Sequence, residues 1–273
     1  MSASTMPSTR ELGLRVVPSF GHGARQIVVH NFLVYRRAWV VFLTGFLEPV
    51  FYLFSIGVGV GGLVGDFRLD DGSLVSYASF VAPALLASSA MNGALFDATY
   101  GIFFRFKYDK LYDGLTATPM TPAQIAVGEL AWALLRSTCY SVAFVAVMTG
   151  MGLVESWWGL LAVPATMVIG FGFGGAGMAL TTYMKSWQDF EYVQLAVMPM
   201  FLFSATFYPL SAYPQLLQWI VQATPLYQGV VLCRGLSTGS LGVHAVVAVG
   251  YLLVMGAVGL WVASRRLAGL LLK

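Results

Sequence analysis

Apolar residues in this chain fall in long unbroken blocks rather than in the striped patterns of water-facing helices or strands. Six blocks stand out: Trp39–Leu63, Tyr77–Phe104, Ile125–Leu153, Trp158–Met184, Tyr192–Leu210 and His244–Ala263. About 20 helical residues cross the roughly 30 Å hydrocarbon layer of a bilayer, and each block reaches or nearly reaches that length. Lipid offers no partners for free backbone N–H and C=O groups, so each block is expected to be a helix. A β-barrel would need alternating polarity, and these runs are apolar on every face. The pattern predicts an all-α membrane protein with six transmembrane helices.

Three connecting segments depart from plain loops. Within Ala24–Trp39, a helix would put Ile27, Phe32 and Tyr35 on one face with Val28 and Val34 nearby, and Arg25, Arg36 and Arg37 near the headgroups. This reads as an N-terminal amphipathic interfacial helix, or as an extension of the first span with a basic anchor. After the second block, Phe104, Tyr108, Leu111, Tyr112 and Leu115 recur at helical spacing among Arg105, Lys107, Lys110 and Asp113. Gly114 weakens that helix near its end, and Pro119 and Pro122 close it. It reads as a short cytoplasmic helix whose apolar face docks another protein or lies on the headgroups. Between the fifth and sixth blocks, Ser211–Thr224 carries Tyr213-Pro214 and then Leu216, Leu217, Trp219, Ile220 and Val221. It is too apolar for a wet loop and too short to span, which suggests an external re-entrant or interfacial element.

Charge orients these elements. Of the 15 Lys and Arg residues, twelve lie in the N-terminal segment, the loops after spans two and four, and the C-terminal tail. Only Arg68 and Arg234 lie on the other side, beside Asp66, Asp70, Asp71 and Glu155. Cytoplasmic loops carry the excess of Lys and Arg, so both termini are expected in the cytoplasm of a cell whose cytoplasmic membrane the chain crosses. The expected division is a cytoplasmic segment over 1–38, a transmembrane domain over 39–264 and a cytoplasmic tail over 265–273. The run from Trp39 is too long for a signal-peptide core and is expected to be an uncleaved first span. With 58% hydrophobic and 10% charged residues, the chain leaves no room for a separate soluble module. A net charge of +3 gives no reason to expect a nucleic-acid partner.

Catalytic chemistry finds little to work with. There is no Gly-Lys pair, so no phosphate-cradling loop. The run Gly170–Gly177 sits inside an apolar block and suits close helix contact instead. His22, His30 and His244 are scattered, Cys139 and Cys233 are far apart, and no Gly-x-Ser-x-Gly turn occurs. The chain is therefore not expected to be an enzyme or to hold a metal. Charges inside the blocks are more telling, because each is costly in lipid and faces protein or a cavity. These are Glu48, Asp97, Glu129 and Arg136. Glu129 and Arg136 are seven residues apart, two turns of one face, and read first as a structural pair or as interfacial anchors. Glu48 precedes a kinking Pro49 among Phe46, Phe51, Tyr52 and Phe54, which could line a path for an amphiphile or simply face lipid.

The stretch Leu202–Ser211, then Tyr213-Pro214, Thr224-Pro225-Leu226-Tyr227 and Arg234-Gly235, closely resembles the signature of the membrane subunit of type-2 ABC exporters. Gly128–Ala133, and Glu48-Pro49 with Tyr52-Leu53-Phe54, look most like the NodJ-type branch. The resemblance runs from about Ala24 onward. It implies an ABC-2 permease that exports an amphiphilic cargo: a lipid-linked oligosaccharide, a glycolipid or a hydrophobic drug-like molecule. Two permease subunits, identical or related, would pair over two cytoplasmic ABC ATPases that carry the ATP and Mg, with no cofactor on this chain. The ATPase-coupling helix would comprise Phe104, Arg105, Lys107, Tyr108, Leu111, Tyr112, Asp113 and Leu115, so that Leu111→Asp or Tyr112→Asp releases the ATPase without harming insertion. Spans one and five would face the substrate route, with Glu48, Phe51, Tyr52, Phe201, Phe203, Phe207 and Tyr208 along it. The competing reading, a self-contained ion-coupled transporter, needs a midplane ion site and usually inverted repeats, and no internal repeat is found.

Overall fold

The computed structural model describes residues 20–37, 47, 50–64, 66–68, 74–116, 118–154, 156–240 and 242–271. Glu48, Pro49 and most of the first half of the expected first span lie outside the described residues.

The described residues are helical almost throughout. In order the chain forms α1 (Phe20–Arg37), α2 (Val50–Leu63), a two-strand hairpin of β1 (Asp66–Arg68) and β2 (Leu74–Ser76), and α3 (Tyr77–Lys107). There follow α4 (Leu111–Thr116), α5 (Pro122–Gly150), α6 (Trp157–Thr181) and α7 (Phe190–Phe203). The last three are α8 (Gln215–Ala223), α9 (Pro225–Thr238) and α10 (Val243–Leu271). Among them α3, α5, α6 and α10 are long and apolar enough to cross a membrane.

Local chemistry sets the boundaries. Ser76 caps α3 by accepting from the Ser79 N–H at 3.1 Å. Thr121 and Gln124 form a reciprocal capping box ahead of α5, with Pro122 at its first position. Ahead of α9 the Thr224 side chain accepts from the Tyr227 N–H at 3.4 Å and Pro225 takes the first position, and the helix stops at Gly239 in the left-handed region at φ 79°.

Packing follows from small residues. Lipid tails are as apolar as leucine, so helices in a bilayer associate by close contact rather than by escape from water. Gly175 of α6 meets Gly256 and Gly259 of α10, where a Cβ on Gly175 would collide with the Gly256 backbone, and Gly172 lies against Leu252 and Met255 of the same helix. Gly174 and Gly177 face the other way, where a Cβ would come within 2.7 Å of Leu130 on α5 and of Leu95 on α3 respectively. The glycine run thus lets α6 sit against three neighbours, as its composition predicts. One core of Phe80, Leu86, Met91, Phe144, Ile169, Phe173, Leu226 and Leu252 joins α3, α5, α6, α9 and α10. A second, of Ile27, Ile102, Tyr112, Ile125, Met178 and Leu267, closes the end that carries Arg105, Lys107, Lys185, Arg265 and Arg266, called the basic end below. Cys233 is buried, whereas Cys139 is exposed on α5 rather than packed.

The fifth apolar block is shorter as a helix than its composition suggests. α7 has 14 residues, about 21 Å at 1.5 Å per residue, and ends at Ser204. Beyond it Ser204, Ala205 and Thr206 are buried in irregular backbone, with Ala205 at φ 54°. Pro209 disfavours a helical Tyr208 and so keeps the chain from resuming the helix there. The stretch between blocks five and six also holds more than one short turn. After α8 comes α9, whose Leu226, Val230 and Cys233 are fully buried. Its Gln228, Gly229, Arg234 and Gly235 hide it from a hydropathy reading.

Candidate functional site

Four ionisable residues enter the bundle at its basic end. Asp97 and Arg105 belong to α3, and Glu129 and Arg136 to the neighbouring, oppositely directed α5. A regular helix turns about 100° per residue, so the seven-residue step from Glu129 to Arg136 leaves them about 20° apart. The eight-residue step from Asp97 to Arg105 would leave about 80°. A π-helical turn over Asp97–Gly101 absorbs one residue and brings that pair back to about 20°. The two helices therefore present matched charges in antiparallel register, and each charge finds its opposite.

Arg105 Nη2 lies 3.0 Å from Glu129 Oε2, and Arg136 Nε lies 2.8 Å from Asp97 Oδ2. Both carboxylates are almost wholly buried. Glu129 gathers two further donors: Asn31 Nδ2 of α1 at 3.0 Å and the Tyr112 hydroxyl of α4 at 2.9 Å. Arg105 Nη1 donates to Asn31 Oδ1 at 2.9 Å, which closes a ring of side chains. The Tyr112 phenol is pushed well above its usual value, chiefly by burial and next by the Glu129 carboxylate, so it stays a donor. Around the second pair, the Arg136 guanidinium lies 5.1 Å from the Tyr35 ring, 5.7 Å from Tyr140 and 6.0 Å from Phe96. Tyr35 in turn packs on Trp132 at 5.3 Å. Burial raises the Tyr35 phenol above its ordinary value, and Asp97 raises it further.

This geometry revises three sequence expectations. Glu129 and Arg136 do share a face, but they pair with α3 rather than with each other. The inner face of α1 is Ala24, Ile27, Asn31 and Tyr35, laid against α5 where Gly128 has no side chain to obstruct Ala24 and Ile27. Phe32 instead points outward with Val29, Leu33 and Val34. The expected single helix over Phe104–Leu115 is broken. Phe104, Arg105 and Lys107 end α3, Lys110 takes a left-handed φ of 47°, and α4 starts at Leu111. Its apolar side is already occupied: Tyr112 is fully buried, and Leu111 and Leu115 pack on the second core. Tyr112→Asp would therefore break the ring around Glu129 as well as alter any docking face. Lys107, Tyr108, Asp109 and Lys110 form the exposed turn, and the side chain of Asp113 lies outside the described set. Asn31 was missed as a site residue. The available signal was a polar residue midway between Ile27 and Tyr35 on an apolar face.

The aromatic residues placed on a substrate route divide between two helices and the irregular segment. Tyr52 of α2 meets Phe201 of α7 at 6.4 Å, and Phe201 meets Phe207 edge-on at 5.4 Å. Tyr77 donates to the Phe207 carbonyl at 3.3 Å. Phe203 turns away toward Tyr213 at 6.4 Å, while Phe51 and Tyr208 are exposed. At this opposite end Arg234 of α9 spans the break after α7. Its Nη2 donates to the Ala205 carbonyl at 2.9 Å and to the Phe80 carbonyl at 3.3 Å, and its guanidinium lies 3.9 Å from the Phe80 ring. Among the described residues no three His, Cys, Asp or Glu gather to hold a metal.

Long apolar helices joined through glycine, with their few interior charges paired at one end, define a multi-pass helical membrane protein. The model of the ABC-2 type transporter family matches residues 24–238. Nodulation protein J of Rhizobium leguminosarum bv. viciae is 30% identical over 269 residues, covering 94% of this chain and 99% of that protein. Nodulation protein J of Rhizobium meliloti (strain 1021) is 28% identical over 260 residues, covering 94% and 97%. That of Sinorhizobium fredii is 31% identical over 207 residues, covering 75% and 77%. The chain belongs to the ABC-2 type transporter family, as a NodJ-like membrane permease of the exporter type.

Proposed function

We propose that the chain is the conduit half of an ATP-driven exporter that moves an amphiphile, a lipid-linked oligosaccharide, glycolipid or hydrophobic drug-like molecule, out across the cytoplasmic membrane. In this reading α2 and α7 complete the count of spans to six, the basic end is cytoplasmic, and α8 with α9 forms the external re-entrant element. Two such permeases pair, identical or related, over two ABC ATPases that bind ATP and Mg. The observation that carries the reading, beside family membership, is the exposed Lys107–Lys110 turn joined directly to a buried charge ring. An ATPase seated on that turn displaces α4, and Tyr112 passes the displacement to Glu129 and hence to α1, α3 and α5. The aromatic series Tyr52, Phe201 and Phe207 supplies flat faces for sugar rings or acyl chains along α2 and α7. An ion-coupled carrier would want a free acidic group within the bundle, and the two that lie among the described residues, Asp97 and Glu129, are both held by arginines.

Proteoliposomes carrying the chain with a co-expressed ABC ATPase test this. ATP-dependent transfer of a fluorescent glycolipid to the side away from the ATPase is expected. Transfer that follows an ion gradient without ATPase would overturn it.

A further inference from the structure

α10 outruns the helix it packs on. Its buried residues form one inward stripe at helical spacing: Ala248, Leu252, Gly256, Gly259, Ala263 and Leu267, with Leu271 half-buried beyond them. Gly256 and Gly259 of that stripe lie against Gly175 of α6. α6 ends at Thr181, and Arg266 of α10 closes that end. Its Nε donates to Thr182 Oγ1 at 3.2 Å and its Nη2 to the Thr182 carbonyl at 3.4 Å, and its guanidinium lies 3.7 Å from the Tyr183 ring. A cation at a helix C-terminus also suits the helix dipole. The stretch expected as a cytoplasmic tail, 265–273, is helical as far as Leu271, so α10 continues beyond the last turn of α6.

Past that turn α6 no longer covers α10, yet Leu267 is only 3% exposed. Leu267 and Leu271 belong to the second core with Leu111, Tyr112 and Leu115 of α4 and Ile125 of α5. α4 lies alongside α10, whereas it reaches α5 through the Tyr112–Glu129 hydrogen bond. The polar hold on α4 and the apolar one therefore come from different helices. We propose that Leu267, with Leu271, is the positioning residue that seats α4, so that a push on α4 is borne by the α6–α10 pair as well as by the ring around Glu129. Its significance for export rests on the permease reading above, but the seat itself can be tested without it. A seat of this kind needs apolar volume at position 267, so methionine serves and alanine does not.

Backbone hydrogen exchange of the chain alone in lipid nanodiscs compares α4, over 111–116, with the turn over 183–190 at the same end. Leu267→Ala is expected to speed exchange over 111–116 about tenfold, because truncating a buried leucine removes its contacts and leaves a cavity. Leu267→Met keeps the wild-type rate. Gly269→Ala, where a Cβ meets nothing within 4 Å, keeps it too. Exchange over 183–190 stays unchanged in all three. No change over 111–116 in Leu267→Ala, or an equal rise over 183–190, overturns the seat. With a co-expressed ABC ATPase, Leu267→Ala should still hold the ATPase, since the Lys107–Lys110 turn is intact. Its transfer of a fluorescent glycolipid per ATP should fall about fivefold, with Leu267→Met restoring it. Wild-type transfer per ATP in Leu267→Ala overturns the part of the seat in coupling. Failure of the wild-type chain to bind any ABC ATPase counts against the permease reading, and the exchange result still decides the seat.

Discussion

The two ends of the bundle hold their inward-reaching arginines in different ways. At the basic end Arg105 and Arg136 answer carboxylates on a neighbouring helix, and Asn31 and Tyr112 bring in two more elements. At the opposite end Arg234 answers main-chain carbonyls, that of Ala205 where α7 breaks and that of Phe80 on α3. Carbonyls fixed in the backbone hold Arg234 to one geometry. A ring of side chains from four elements can lengthen, shorten or exchange a bond without unfolding a helix. Movement is expected at the basic end and a fixed frame at the opposite one.

Removing the hub of the ring should give the largest effect. Glu129→Ala leaves Arg105 as a buried unpaired charge, and breaking a buried pair costs about 3–5 kcal/mol. Denaturation in mixed micelles should show that loss, and Arg105→Met with Glu129→Leu should recover most of it. Tyr112→Phe removes one hydrogen bond to a charged acceptor and should cost about 1.5–3 kcal/mol by the same assay. At the other end Arg234→Met removes the donor to the Ala205 carbonyl in the irregular segment, for about 1–3 kcal/mol. Its sharper signature should be faster proteolysis within 204–214 and unchanged proteolysis near Tyr108. The smallest effect belongs to Trp219→Ala on exposed α8, where surface changes stay within about 0.5 kcal/mol of wild type. A Glu129→Ala loss no larger than that of Trp219→Ala would erase the contrast between the ends.

Much of this was legible in the sequence. Four long spans, the close packing of the Gly170–Gly177 run and the expense of Asp97, Glu129 and Arg136 all follow from composition and spacing. Who pairs with whom does not, because the partners come from other helices and depend on the π-helical turn at Asp97–Gly101, which no residue type announces. The break at Lys110 is hidden for a similar reason: no glycine or asparagine marks the left-handed residue. α9 escaped because a helix buried by protein can carry glutamine, arginine and glycine that a lipid-facing span avoids. The aromatic residues of α2 and α7 were legible as a group, and the structure brings Tyr52, Phe201 and Phe207 together while turning Phe203 aside.

We propose a division of labour, with the conduit on this chain and ATP turnover on a partner seated at the Lys107–Lys110 turn. The most direct measurement is ATP turnover by the purified chain, by a co-expressed ABC ATPase, and by their complex, with Tyr108→Asp and Lys110→Glu variants alongside. The chain alone should show none, and the complex should form with wild type. Either variant should cut the recovered ATPase about tenfold, the loss of about 1.4 kcal/mol of binding. Stoichiometric nucleotide turnover by the chain alone, or full ATPase recovery with both variants, would contradict it.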